Sequence, residues 1–88
     1  MRHEQAEQLA GAVKSSRWVD RVAVRPNEKA NGGYCLSVWP KDDARGTREL
    51  AWTETRMQFH RLFPGEKLPT RNRDLAVERE NQSLRSLW

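Results

Sequence analysis

Two short runs of β-branched and aromatic residues, separated by turn chemistry, constrain this chain more than any other feature. The first reads Arg17-Trp18-Val19-Asp20-Arg21-Val22-Ala23-Val24-Arg25, and Pro26 ends it because proline has no N–H for a strand ladder. The second runs from Gly33 to Pro40, Gly33-Tyr34-Cys35-Leu36-Ser37-Val38-Trp39-Pro40. Between them, Asn31-Gly32 can take the positive φ values that tight turns require. Alternation sets Trp18, Val22 and Val24 on one face of the first strand, and Tyr34, Leu36 and Val38 on one face of the second. Cys35, Ser37 and Trp39 take the opposite face. The pattern predicts an antiparallel hairpin.

A lone hairpin is not stable in water, so other elements must cover its apolar face. Ala6, Leu9, Ala10 and Val13 fall at i, i+3, i+4 and i+7, one face of a helix that Ser15-Ser16 ends. Its glutamates come early and Lys14 late, matching the helix dipole. From Arg48 to Phe63, the rings of Trp52, Phe59 and Phe63 recur at i, i+7 and i+11, within about 40° of one another on a helical wheel. Leu62 extends that stripe, Thr47 is the expected N-cap, and Pro64-Gly65 the stop. Leu50 and Met57 lie nearly opposite, which predicts a helix buried on two sides. Residues 49–55 also fit a strand, but the aromatic stripe favours helix. A last helix is expected from Thr70 or Asn72 to about Ser86, with Val77, Leu84 and Trp88 in the same spacing and Leu87 beside them. The expected architecture is a single α+β domain over 1–88, in the order α-β-β-α-α, with the antiparallel hairpin packed against helices. The two hairpin edges stay open to a strand from a target, or from a second copy as a homodimer.

A chain of 88 residues buries only about 60–65% of the surface its unfolded form exposes. Hydrophobic residues make up 36% and charged residues 32%, so the core is thin and a partner can complete it. The four tryptophans, Trp18, Trp39, Trp52 and Trp88, suit both small cores and interface anchors. Trp39 and Trp88 are the candidates for contact with a partner protein. The single cysteine, Cys35, builds no internal disulfide and argues for a reducing compartment. No apolar run approaches the roughly 18 residues of a membrane span, and Met1-Arg2-His3-Glu4-Gln5 does not begin a signal peptide. The expected location is the cytoplasm, of the source cell or of an infected host for a phage-encoded chain.

Chemistry is sparse. His3, Cys35 and His60 lie on three different elements with no ligand spacing, so no metal or other cofactor is expected. Cys35 reads as a small half-buried hydrophobe in mid-strand. Gly32-Gly33 belongs to a turn and not to a phosphate-cradling loop. Arg56 and His60, at i and i+4 with Arg61 beside them, form the one grouping suited to ribonuclease chemistry. Nothing supplies a second titratable partner for His60, so no enzyme is expected.

Charge is more informative. Between residues 56 and 73, Arg56, Arg61, Lys67, Arg71 and Arg73 face only Glu66, an excess equal to the chain's formal +4. Arginine's planar fork suits phosphate contacts. Arg71 and Arg73 would start the last helix, where cations oppose the dipole and a bound phosphate would relieve the conflict. Arg56, His60, Arg61, Lys67, Arg71 and Arg73 are therefore the candidate contacts for nucleic acid or an acidic partner. There is no helix-turn-helix, zinc-finger or RNA-recognition signature. The sequence points to a non-enzymatic binding module, an inhibitor or adaptor of the phage or mobile-element kind. Such a module docks on a larger, nucleic-acid-handling protein or nucleoprotein complex. A basic nucleic-acid-binding accessory protein is the runner-up, and a minimal ribonuclease the third reading.

Overall fold

The computed structural model describes residues 1–27 and 33–79 and sets two helices against one face of a three-stranded sheet. The hairpin forms as expected. Strand β1 (Val19–Asn27) pairs antiparallel with β2 (Gly33–Pro40), with Val22 opposite Val38 and Val24 opposite Leu36. The Asn31-Gly32 turn lies outside the described residues. A register shift between Val19 and Arg21 brings Val19 to the same side as Pro40, and its side chain is buried.

Helix α1 (His3–Lys14) buries Gln5, Ala6, Leu9, Ala10 and Val13. The Gln5 side chain accepts the Arg2 N–H at 3.1 Å, satisfying a donor that the helix start leaves open. Helix α2 (Arg45–Leu62) settles residues 49–55 as helix. It begins three residues earlier than Arg48, with Ala44 and not Thr47 as its N-cap. Asp42 holds that entry by accepting the Ala44 N–H at 2.8 Å. Past its end, Gly65 takes a φ of 86°, a left-handed conformation that glycine adopts without strain.

The stripe along α2 is centred on Ala51, Thr55 and Phe59, all buried. Thr55 donates its hydroxyl to the Ala51 carbonyl at 2.8 Å, so the buried oxygen is satisfied. Phe59 is 2% exposed and its ring lies 5.2 Å from that of Phe63. Trp52, Leu62 and Phe63 are partly buried against the same core. Leu50 and Met57 are instead 43% and 60% exposed, so the helix is not buried on two sides. The fold has two layers, and α2 turns only one face to the sheet.

The last expected helix does not start at Thr70 or Asn72. Residues after Thr70 turn, with Asn72 at a φ of 73°, and enter strand β3 (Leu75–Val77). β3 pairs parallel with β2, Leu36 beside Leu75 and Val38 beside Val77. The outer edge of β2 has backbone groups that need partners, and Leu75 has a fully buried place beside them. The Leu36 N–H donates to Asp74 O at 3.0 Å and the Glu78 N–H to Val38 O at 2.8 Å. Met1 covers the rest of that edge, exchanging backbone bonds with Tyr34. Leu84, Leu87 and Trp88, read in or beside the spacing of that helix, lie outside the described residues.

Leu9, Val13, Ala51 and Phe59 of the helices join Leu36, Val38 and Leu75 of the sheet in one buried cluster. Strand alternation then sends Arg21, Ala23, Arg25, Cys35, Ser37, Trp39 and Ala76 to the opposite face. No described helix covers that face.

Candidate anion-facing surface

The β1–β2 register builds the centre of the uncovered face. Arg21 stands opposite Trp39 and Arg25 opposite Cys35. The Arg21 guanidinium lies 4.2 Å from the centre of the Trp39 ring and that of Arg25 5.2 Å. Arg25 also pairs with Glu78 at 3.3 Å. Ser37, small and buried between its neighbours, donates its hydroxyl to the same Glu78 oxygen at 3.4 Å. Burial pushes the Cys35 thiol up, and the nearby Arg25 charge opposes this. The thiolate, which is the reactive form, is thereby disfavoured. A cavity of about 340 Å³ opens here, with Arg25, Cys35, Ser37, Asn72, Arg73 and Glu78 in its lining.

A second group surrounds Trp52 on α2. Arg71 lies 4.6 Å and Arg56 5.8 Å from the ring centre. Arg71 binds Glu49 through two parallel hydrogen bonds of 3.2 and 3.1 Å. That hydrogen bonding holds the Glu49 carboxyl below its ordinary value, helped by the charges of Arg71, Arg45 and Arg48. A small cavity of about 100 Å³ is lined by Arg48, Glu49, Arg71, Asn72 and Val77. The Nε atoms of Arg48 and Arg71 are buried and make no hydrogen bond among the described residues.

The depressed Glu49 carboxyl gives a pH expectation with a fixed sign. The Arg71–Glu49 pair contributes in full above the ordinary value of 4.5 and is lost as pH falls through the lower folded value. An NMR titration of the Glu49 carboxyl carbon is expected to show a midpoint below that of an ordinary glutamate. Arg71→Ala is expected to raise it; an unmoved midpoint would show that Arg71 is not the cause.

The structure divides the basic window of the sequence. Arg56 and Arg71 meet at Trp52, while Arg73 lies one turn further on, exposed, its carbonyl accepting the Asn27 side-chain amide. Lys67 lines a different cavity of about 190 Å³, with Met1, Phe59, Asp74 and also Arg73 in its wall. Arg61 is exposed and donates to Gln58 at 2.9 Å, and the His60 side chain is exposed. The dipole argument for Arg71 and Arg73 falls, because no helix begins there. It transfers to α2, whose first turn carries Arg45 and no acid. Trp39 is half-buried on the uncovered sheet face, whereas Trp88 is beyond the described residues.

Sequence reasoning missed Arg21, Arg25, Arg45 and Arg48. A signal for two of them was present: Arg21 and Arg25 share a parity in β1 that the hairpin pairs with the parity of Trp39. Each described tryptophan carries an arginine, since Arg17 also lies 4.6 Å over Trp18. Among the described residues no three metal-ligating side chains converge, and no helix is long and apolar enough to cross a membrane. Comparison with known protein families, with curated proteins and with solved structures finds no match.

Proposed function

We propose that the chain is a non-enzymatic binding module, a small inhibitor or adaptor, that docks on an anionic surface of a larger nucleic-acid-handling assembly. The observation that carries this reading is the Trp39 ring, with Arg21 at 4.2 Å and Arg25 at 5.2 Å, on the sheet face left bare by the described helices. Tryptophan and arginine are the residue types that dominate contact energies in interfaces. Here they stand on paired strands, so little ordering is required when a partner arrives. An exposed cation–π contact is worth only about 0.5–1 kcal/mol, so both guanidinium groups can leave the ring for a partner's anions. The proposed setting is the cytoplasm, of the source cell or of an infected host, in keeping with the lone Cys35.

The face supports docking better than the free edge of β1. Two copies paired antiparallel through β1 and centred on Ala23 would set Arg21 against Arg25 of the second copy. Like charges directly opposite destabilise a strand pair, and Pro26 removes a donor from the same edge. A homodimer through that edge is therefore the weaker reading.

The test is affinity purification from the native host, with and without nuclease treatment. The wild-type chain is expected to retain a stoichiometric partner complex. The double variant Arg21→Glu, Arg25→Glu is expected to lose it while keeping its circular-dichroism spectrum. Equal recovery by both proteins would count against the reading.

A further inference from the structure

We infer that this surface is a track for single-stranded nucleic acid, running from Trp39 across the turn at Asn72 to Trp52. The inference rests on the anionic-surface reading above and names the chemical class of its partner. Continuity comes from Asn72, which lines both the 340 Å³ cavity beside Arg25 and Arg73 and the 100 Å³ cavity beside Arg48 and Arg71. The sheet-face group and the α2 group therefore share a rim. Along it stand six arginines: Arg21, Arg25, Arg73, Arg71, Arg48 and Arg56. Among the described residues Glu78, Glu49 and Asp74 stand against them, the last shared with the Met1 ammonium, so six arginines face three carboxylates.

The rings decide which polyanion fits. Single strands bind where a basic groove follows the backbone and aromatic side chains stack on successive bases. Trp39 and Trp52, both half-buried with arginine against their faces, supply that combination at the two ends of the rim. A duplex would satisfy the arginines, but its bases are already stacked on each other and would leave both rings unused. An acidic polypeptide likewise offers charge without flat faces. Exchange of the resident arginine for a base is favourable. An exposed cation–π contact corresponds to about 2–5-fold in affinity, and a stacked base to about 5–150-fold. The displaced guanidinium is then free for the neighbouring phosphate.

Fluorescence anisotropy with labelled oligo(dT) and oligo(U) of about 15 nucleotides, inside the ~4–16 nucleotide range of small single-strand sites, tests this. The full chain is expected to bind both at low salt, at least about tenfold tighter than a duplex of equal length. Affinity should fall with a log–log salt slope of about 0.7 per phosphate contact. Each of Arg21→Ala, Arg25→Ala, Arg56→Ala and Arg73→Ala is expected to lower that slope by about 0.7. Arg61→Ala, exposed on the side of α2 opposite Trp52, should leave it unchanged. Trp39→Leu should weaken binding about 5–150-fold with the slope retained. Should Trp39→Leu fail to fold, the four arginine variants, all at exposed positions, decide alone. Equal affinity for the duplex, or equal loss with Arg61→Ala, overturns the track. If the oligonucleotides do not bind while polyglutamate does, and Arg21→Ala weakens it, the nucleic-acid inference fails and the anionic-surface reading stands. If neither polyanion binds, both fail.

Discussion

Phe59→Ala is expected to destabilise the fold by about 3–5 kcal/mol, the usual cost of truncating a buried phenylalanine. A domain of this length has a total stability of roughly 4–13 kcal/mol at about 0.05–0.15 kcal/mol per residue. One side chain thus accounts for a large part of the margin. The reason is geometric. Phe59 is 2% exposed, packs on Phe63, and belongs to the cluster that joins α2 to Leu36 and Leu75 of the sheet. Thermal unfolding followed by circular dichroism should show a midpoint lower by about 15 °C or more. Met57→Ala, on the same helix but 60% exposed, should change stability by no more than about 0.5 kcal/mol. Similar losses in the two variants would mean that α2 does not lie on the sheet through its Phe59 face.

Asp74→Ala is expected to cost about 2–3 kcal/mol. Its carboxylate accepts the Met1 ammonium at 3.1 Å and the Thr70 N–H at 3.4 Å. Both hydrogen bonds of the Met1 ammonium, to Asp74 and to the Tyr34 carbonyl, are part-buried, and the Asp74 side chain is 18% exposed. Removing the carboxylate leaves the part-buried ammonium with the Tyr34 carbonyl but without its counter-charge. Urea unfolding, compared between the wild-type chain and this variant, measures the loss. The same substitution separates position from charge in the proposed track. On charge alone, losing a carboxylate should strengthen the binding of an anion. The Asp74 carboxylate also ties the Thr70 N–H, at the start of the turn that sets out Arg71 and Arg73, to the Met1 ammonium. The expected result is therefore weaker oligonucleotide binding, at a temperature where both proteins are folded. Stronger binding would mean that the turn does not position the arginines.

The hairpin and the two first helices were legible because each carries its own signal within a few residues. Alternation in residues 33–40 separated Leu36 and Val38 from Trp39, and the structure keeps that separation. The Trp52–Phe59–Phe63 spacing named the buried side of α2, although the centre of that side falls on Ala51 and Thr55. Both are small, and neither announces burial in a sequence. Leu50 and Met57 were misread for the converse reason: apolar character says that a side chain can be buried, not that a layer exists to bury it.

The basic surface was half legible. The window from Arg56 to Arg73 showed an excess of charge, but linear proximity groups residues that the fold disperses. Arg61 went elsewhere and Lys67 to a neighbouring cavity that shares Arg73, while Arg21 and Arg25, far away in the chain, came to the same rim as Arg73.

Periodicity and turn chemistry by themselves determined the α+β class, the antiparallel hairpin and which faces of it are apolar. Tertiary structure alone decided that Leu75–Val77 is a strand. Three residues carry too little local preference to choose a state, whereas the unpaired edge of β2 offers hydrogen bonds and a buried place for Leu75. It also decided that arginines from β1, α2 and the Asn72 turn meet around two tryptophans, because contact between side chains distant in the chain is set by packing, which no local pattern encodes.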